Sequence, residues 1–419
     1  MDIILGALNW YAALPSSVMV MIGIFLVGLL LARLKVGEAL RCSIYVAGAL
    51  VAMSTMVGMF SGAATPILTQ VVEATGLKLD IIDLGLGSAY SSVLFPLSFY
   101  AILLVVGLAV NALMIVLRLT DTFDVDVFNY SVWALASSYV WAITGSVPLA
   151  IAAYVINEII VLKFADLTAP AIQKAYGLDG VSIPHGNAVI FAPVGMAANW
   201  VIEKIPVLAK IDWSPEKIEE RFGGLVSPSM IGFVMGIVLG IAGGQGFGQT
   251  FLLGITVAAF MIVFPRVENI LVEGITPVAD GMRDICAKRF HRDLNIGLDA
   301  AILIGMPDVM ATGILVTPVV LLLAFILPGN RVLPMADLAI AAPFLISCCM
   351  PFCKKNIFRG FIAGVVVMII TLYVCTATAS WYTQCAAMNG LPFESLSTTL
   401  GIGSSWVAWA IGQVFAIFA

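Results

Sequence analysis

Residues 180–195 read GVSIPHGNAVIFAPVG. His185 stands between Pro184 and Gly186, with Asn187 beside it, in a stretch otherwise apolar enough for a membrane interior. The chain holds only two histidines, this one and His291. Pro184, Gly186 and Pro193 prevent a continuous helix here, since proline removes an amide donor and clashes with the preceding turn. Lys163 and Lys174 precede the stretch and Lys204 follows it. Basic residues in short connections mark the cytoplasmic side, so 181–200 is expected to dip in and return rather than cross. His185 would then sit near the turn of a re-entrant loop, with unpaired backbone groups around it.

The composition supports a membrane setting. Residues are 61% hydrophobic and 11% charged, with a mean hydropathy of +1.07, far from the soluble range. Leu14–Ala32, Cys42–Phe60, Val93–Leu117 and Phe361–Ala379 are apolar runs, each near the ~20 residues a spanning helix needs. The start, MDIILGALNWYAALPSS, has no basic region, so no cleaved signal peptide is expected. The net charge of −5 is small and scattered, which gives no reason to expect nucleic acid as a partner. Of seven cysteines, Cys348, Cys349 and Cys353 in SCCMPFC have no nearby histidine or acid. They are read as small core residues, not as a metal site.

The other basic groups set the topology. Arg33, Lys35 and Arg41 follow the first span. Lys204, Lys210, Lys217 and Arg221 lie in the most polar segment, Arg266, Arg283, Lys288, Arg289 and Arg292 in the next, and Lys354, Lys355 and Arg359 in the last. The first span runs out-to-in and 42–60 returns, with 93–117 coming back inward to Arg118. The second half repeats this upside down: Val226–Ala242 leaves the inside, and Thr250–Val263 returns to a basic loop at Arg266. GGQGFG at 243–248 is read as a tight external loop, not a nucleotide fingerprint. The apolar stretch 297–328 is too long for one ordinary span at about 1.5 Å per residue and is broken by Gly305 and Pro307. A re-entrant hairpin over 297–312, then an outward span, satisfies both length and parity.

Residues 80–111 and 293–330 each pass from an acidic Gly-Leu segment through a Gly/Pro break to a long apolar run. Broken segments in corresponding positions of oppositely oriented halves point to a transport site at their interface. The chain 1–419 is read as one unit, with repeats over 13–165 and 225–376. Candidate ligand contacts are His185, Gly186, Asn187 and Ser182 in one broken segment and Asp299 and Asp308 in the other. Imidazole, amide and carboxylate together suit a neutral polyhydroxylated ligand, whose hydroxyls donate and accept. No lysine or arginine lies in either hairpin to suit an anion. His185 and Asp299 could alternatively cap backbone, and Asp308 could be a turn residue. Glu203 and Lys204 are read as a solvated pair, and the acidic turn DTFDVDVFN (121–129) as a solvated connection. Asn129 and Trp141 are weaker cavity candidates. The chain has no zinc-spaced cluster and no phosphate loop, so no cofactor, metal or catalytic residue is expected.

GVSIPHG, IEKIPVLAKIDWSPEKIEERFG, GFVMGIVLGI, NIGLDAAILIG and LPGNRVLPMADLA resemble the membrane (IIC) subunit of the galactitol-type phosphotransferase system. The likeness runs from about residue 14 to 380. It implies an all-α integral membrane protein of about ten or eleven transmembrane helices, with inverted repeats, re-entrant hairpins and an elevator-type moving core. It further implies a homodimer in the bacterial inner membrane that takes up a hexitol. A separate IIB subunit, served by IIA, would phosphorylate the hexitol from a phosphocysteine. His185 matches the family's histidine after Ile-Pro, and Asp299 the acid of its Gly-Leu-Asp motif. Two departures lie near these residues. Gly305-Met306-Pro307-Asp308 stands where a Gly-His-Thr-like sequence is common, and Asn187-Ala188 where Thr-Ser is frequent. They leave a pentitol or another hexitol open. The competing reading is a proton- or ion-coupled polyol transporter with Asp299 as carrier.

Overall fold

The computed structural model describes residues 14, 16–75, 79–85, 97–214, 228–290, 294–334, 338–389 and 395–419. Helix α1 (Ser16–Leu26) continues through a π-helical turn at Val27–Leu31 and is followed by α2 (Val36–Thr75). Next come β1 (Ile81–Asp83), α3 (Leu97–Val116), β2 (Thr122–Asp124), α4 (Val127–Thr144), α5 (Val147–Tyr176) and β3 (Val181–Ser182). The His185 turn and a 3-10 turn at Val189–Phe191 lead into α6 (Ala192–Glu203) and α7 (Pro206–Ala209). The second half holds α8 (Pro228–Ala242), α9 (Phe247–Phe290), β4 (Asn295–Gly297), α10 (Ala301–Ile304) and α11 (Pro307–Ile326). It ends with β5 (Val332–Leu333), α12 (Leu338–Ile346), α13 (Ile357–Met388), β6 (Ser397–Thr398), α14 (Leu400–Gly403) and α15 (Trp406–Phe415).

Among the described residues α5, α11 and α13 are long and apolar enough to cross a membrane. Their outward faces fit that setting: Leu322 and Ile326 on α11 are 64% and 72% exposed. Shorter apolar helices, α15 among them, accompany these three. The hairpin α8–α9 closes because Gly236 and Gly240, four residues apart, let the backbones meet. A Cβ at Gly236 would stand 2.6 Å from the Gly254 Cα, the close approach that small-xxx-small spacing permits.

Among the described residues the helices are joined by six strands of two or three residues, which the sequence reading did not expect. They form two parallel sheets, ordered β5-β1-β6 and β2-β4-β3. Each central strand comes from the other half of the chain: β1 lies between two late strands, and β4 between two early ones. The registers agree, since Ile82 faces Leu333 and Ser397 while Ile296 faces Phe123 and Val181. Broken backbone at membrane depth must satisfy its polar groups within the protein, and these ladders do so where the helices stop.

Other departures concern where helices end. The basic loop expected at Arg266 is absent: α9 runs unbroken through Arg266 and Arg283, about 66 Å at 1.5 Å per residue. Charge in the sequence therefore marked a helix surface, not a connection. Likewise 42–60 is only the middle of α2. The expected hairpin 297–312 comprises the end of β4, the single turn α10 and the first turn of α11. GGQGFG does form a tight connection, with α9 resuming at Phe247. Most of the Gly/Pro break after Ile81, together with Lys217, Arg221, His291 and Arg292, lies outside the described residues.

Candidate functional site

The His185 turn leaves β3, the strand that pairs with β4. Trp133 on α4 donates through Nε1 to the Pro184 carbonyl at 3.0 Å, fixing the turn's entry. Gly186 packs on the same helix. A Cβ there would meet Val132 Cγ1 and Trp133 Cδ1 at 3.2 Å, so glycine is what allows the turn to approach α4. The His185 ring is 4% exposed and stacks edge-on against Phe344 of α12, centroids 4.5 Å apart. Its Nδ1 accepts from the Asn187 amide at 3.3 Å. In the neutral ring that places the proton on Nε2, making it a donor; Nε2 has no hydrogen-bond partner among the described residues.

Asn187 is fully buried, and its Nδ2 donates to the carbonyls of Gly401 and Ile402 in α14. Its Oδ1 and the Ser182 hydroxyl are buried without hydrogen-bond partners among the described residues. Buried polar atoms of this kind are uncommon and call for an explanation.

Ser182 stands in register with Gly297, and Leu298 donates to the Ser182 carbonyl at 3.0 Å. Asp299 therefore leaves β4 alongside the turn that leaves β3. Its Oδ1 accepts from the Ala301 amide at 2.7 Å, the backbone-capping role weighed for it. Asp299 lies within electrostatic reach of Cys348, one turn beyond Phe344. Ser182, His185 and Asp299 are thus gathered at one end of the β2-β4-β3 sheet. Asp308 is held differently: Tyr176, at the end of α5, donates to its Oδ2 at 2.8 Å.

Two expectations are corrected. The turn 121–129 is not solvated, because Asp124 is 0% exposed at the end of β2. Pairing of β2 with β4 draws it inward. Asp124 accepts from the Asp126 amide and from Asn129 Nδ2. Asp126 caps α4 through Phe128 and lies beside Asp299. Glu203, for its part, does not pair with Lys204. It takes Arg359, whose side chain is 7% exposed, and Lys354, while Lys204 lies over Trp200. The Arg359 hydrogen bond, then that from Lys354, holds the Glu203 carboxyl at about 2. Sequence reasoning also passed over Glu158, 0% exposed on α5. Cys348, Cys349 and Cys353 are buried, as core residues should be.

The arrangement is that of a membrane protein with polar groups collected where its helices break. The family model described as the sugar-specific permease component of the PTS, EIIC-GAT, matches residues 14–395, and the chain belongs to this family. It is 34% identical over 98% of its length to a permease IIC component of Escherichia coli (strain K12), covering 94% of that protein. It is 29% identical over 91% of its length to the PTS galactitol-specific EIIC component of the same organism, covering 85% of it.

Proposed function

We propose that this IIC component binds a sugar alcohol, galactitol first, and carries it across the inner membrane as a homodimer for phosphorylation by a separate IIB subunit. The observation that carries the substrate class is the chemistry at the end of the β2-β4-β3 sheet. Ser182, His185 and Asn187 offer uncharged donors and acceptors, with no lysine or arginine among them. Matched hydroxyl-directed hydrogen bonds reject analogues that lack the hydroxyl. The similarity to a galactitol-specific relative supports the particular polyol.

The reciprocal strand exchange supports reading the two halves as repeats. On that reading each repeat is longer than the sequence suggested and includes the segment after its last strand. The His185 turn then corresponds to the turn after β6, and the two meet at Asn187 and Gly401. A moving core of the elevator type would carry both.

A second reading, a proton- or ion-coupled polyol transporter, draws on Asp299 and Asp126 lying together. Titration of the purified protein with galactitol, a second hexitol, a pentitol and galactose tests the substrate class. Saturable binding of polyols above the aldose supports it; binding of the aldose alone removes it.

A further inference from the structure

Glu158 lies in the middle of α5, a helix apolar enough to span the membrane. Both of its carboxylate oxygens are buried, and neither makes a hydrogen bond of normal geometry among the described residues; the Asn111 backbone acts on it only as a weaker polar neighbour. Asp124, from the β2–α4 connection, is its electrostatic neighbour and has a buried, unpartnered Oδ2. A third buried side chain meets Asp124. Asn129 is 0% exposed, donates through Nδ2 to Asp124 Oδ1, and leaves its own Oδ1 unpartnered.

Every unpartnered atom of this group is an acceptor. Two buried carboxylates without a compensating cation would cost far more than the marginal stability of a fold. The charges around Glu158 do not supply one. Asp124 and Asp126 come from the β2–α4 connection, Asp299 from the segment after β4, and His185 from the turn after β3. The Tyr130 hydroxyl donates to the Asp124 carbonyl, and Tyr154 is one turn away on α5. Lys163, further along α5, is engaged by the Leu119 carbonyl and Asp166. No three carboxylate, imidazole or thiol groups converge as metal ligands among the described residues. A proton needs only one oxygen.

We propose that Glu158 and Asp124 form an intramembrane proton-binding site. A proton from water loads onto a Glu158 oxygen, giving a neutral acid that can donate to the acceptors beside it. On release it returns to water, with no other bond changed. The site touches the sugar-alcohol turn through one residue: a Cβ at Gly297 would lie 2.8 Å from both the Asp124 Cα and Pro184 Cγ. Repulsion between two charged acids would press on that contact, so loading and release would bias the His185 turn. The inference holds whichever solute is carried and does not replace phosphorylation as the driving step.

Infrared spectroscopy of the full-length protein in nanodiscs, without any solute, tests it. The expected result is a protonated-carboxyl carbonyl band at neutral pH that shifts in D2O and is lost in Glu158→Gln. In Asp124→Asn, which leaves Glu158 in place, the band should be lost at lower pH, because the neighbouring carboxylate that opposed ionisation of Glu158 is gone. Absence of the band in the wild type at neutral pH overturns the proposal. So does a band unchanged in intensity and titration by Asp124→Asn, which decides the matter if Glu158→Gln does not fold.

Discussion

Asn187 donates its side-chain amide to the Gly401 carbonyl at 2.5 Å, across 214 positions of sequence. The bond joins the turn after β3 to the helix after β6, the last segments of the two halves. Its second bond, to Ile402 at 2.7 Å, means that one side chain satisfies two carbonyls. A carbonyl at a broken helix inside a membrane must find its donor within the protein, and Asn187 provides it. A Thr-Ser pair at this position, the alternative the galactitol resemblance suggests, has no amide group to do so.

His185→Ala should weaken polyol binding by about 1–3 kcal/mol, the cost of leaving a buried partner unsatisfied, while expression and assembly persist. His185→Gln, which can return a donor near the Nε2 position, should recover part of the loss. Calorimetric titration of both variants checks this. Normal binding by folded His185→Ala protein would assign the ring to the turn alone.

Asp299→Asn keeps shape but exchanges one acceptor oxygen for a donor. Binding should fall by roughly 1.5–3 kcal/mol, the range for a hydrogen bond to a charged group. Because Asp299 also caps Ala301, a thermal melt must accompany the titration. An unstable variant with unaltered affinity would make Asp299 a cap only.

Glu203 gives a pH signature outside the site. Its carboxyl is held at about 2 against an ordinary 4.5. A depressed folded value stabilises above the unfolded value and is lost as pH falls through the folded one. Wild-type melting temperature should therefore decline between about pH 4.5 and 2, a decline that Glu203→Gln reduces. Parallel profiles in the two proteins would show the pair to be idle.

How much of this was legible in the sequence varied with the feature. The His185 turn could be read because proline and glycine punctuate an apolar run. The strands could not, since two or three residues carry no periodicity. Asp124 was misread for the same reason: the alternation in TFDVDVF resembles a polar turn until β2 is seen pairing with β4. Arg266 suggested a loop because charge and the adjacent Pro265 interrupt hydropathy, yet neither ends a helix as long as α9. Glu158 was there to be found. An acid in VINEIIV breaks an otherwise apolar run, which is by default a functional signal.

The orientation follows from lysines near the site. Lys204 and Lys210 are exposed at the ends of α6 and α7 and should face the cytoplasm. Single cysteines at these positions should resist a membrane-impermeant thiol reagent in intact cells and react after permeabilisation. Rapid labelling from outside would invert the topology and separate this face from IIB.

Uptake into membrane vesicles tests the central claim most directly. Vesicles carrying this chain receive labelled galactitol, with phosphorylated IIB supplied or withheld, and the solute inside is identified chemically. The account predicts accumulation as the sugar-alcohol phosphate with phosphorylated IIB, and none without it. Accumulation of unmodified galactitol that needs a proton gradient and ignores IIB would contradict it.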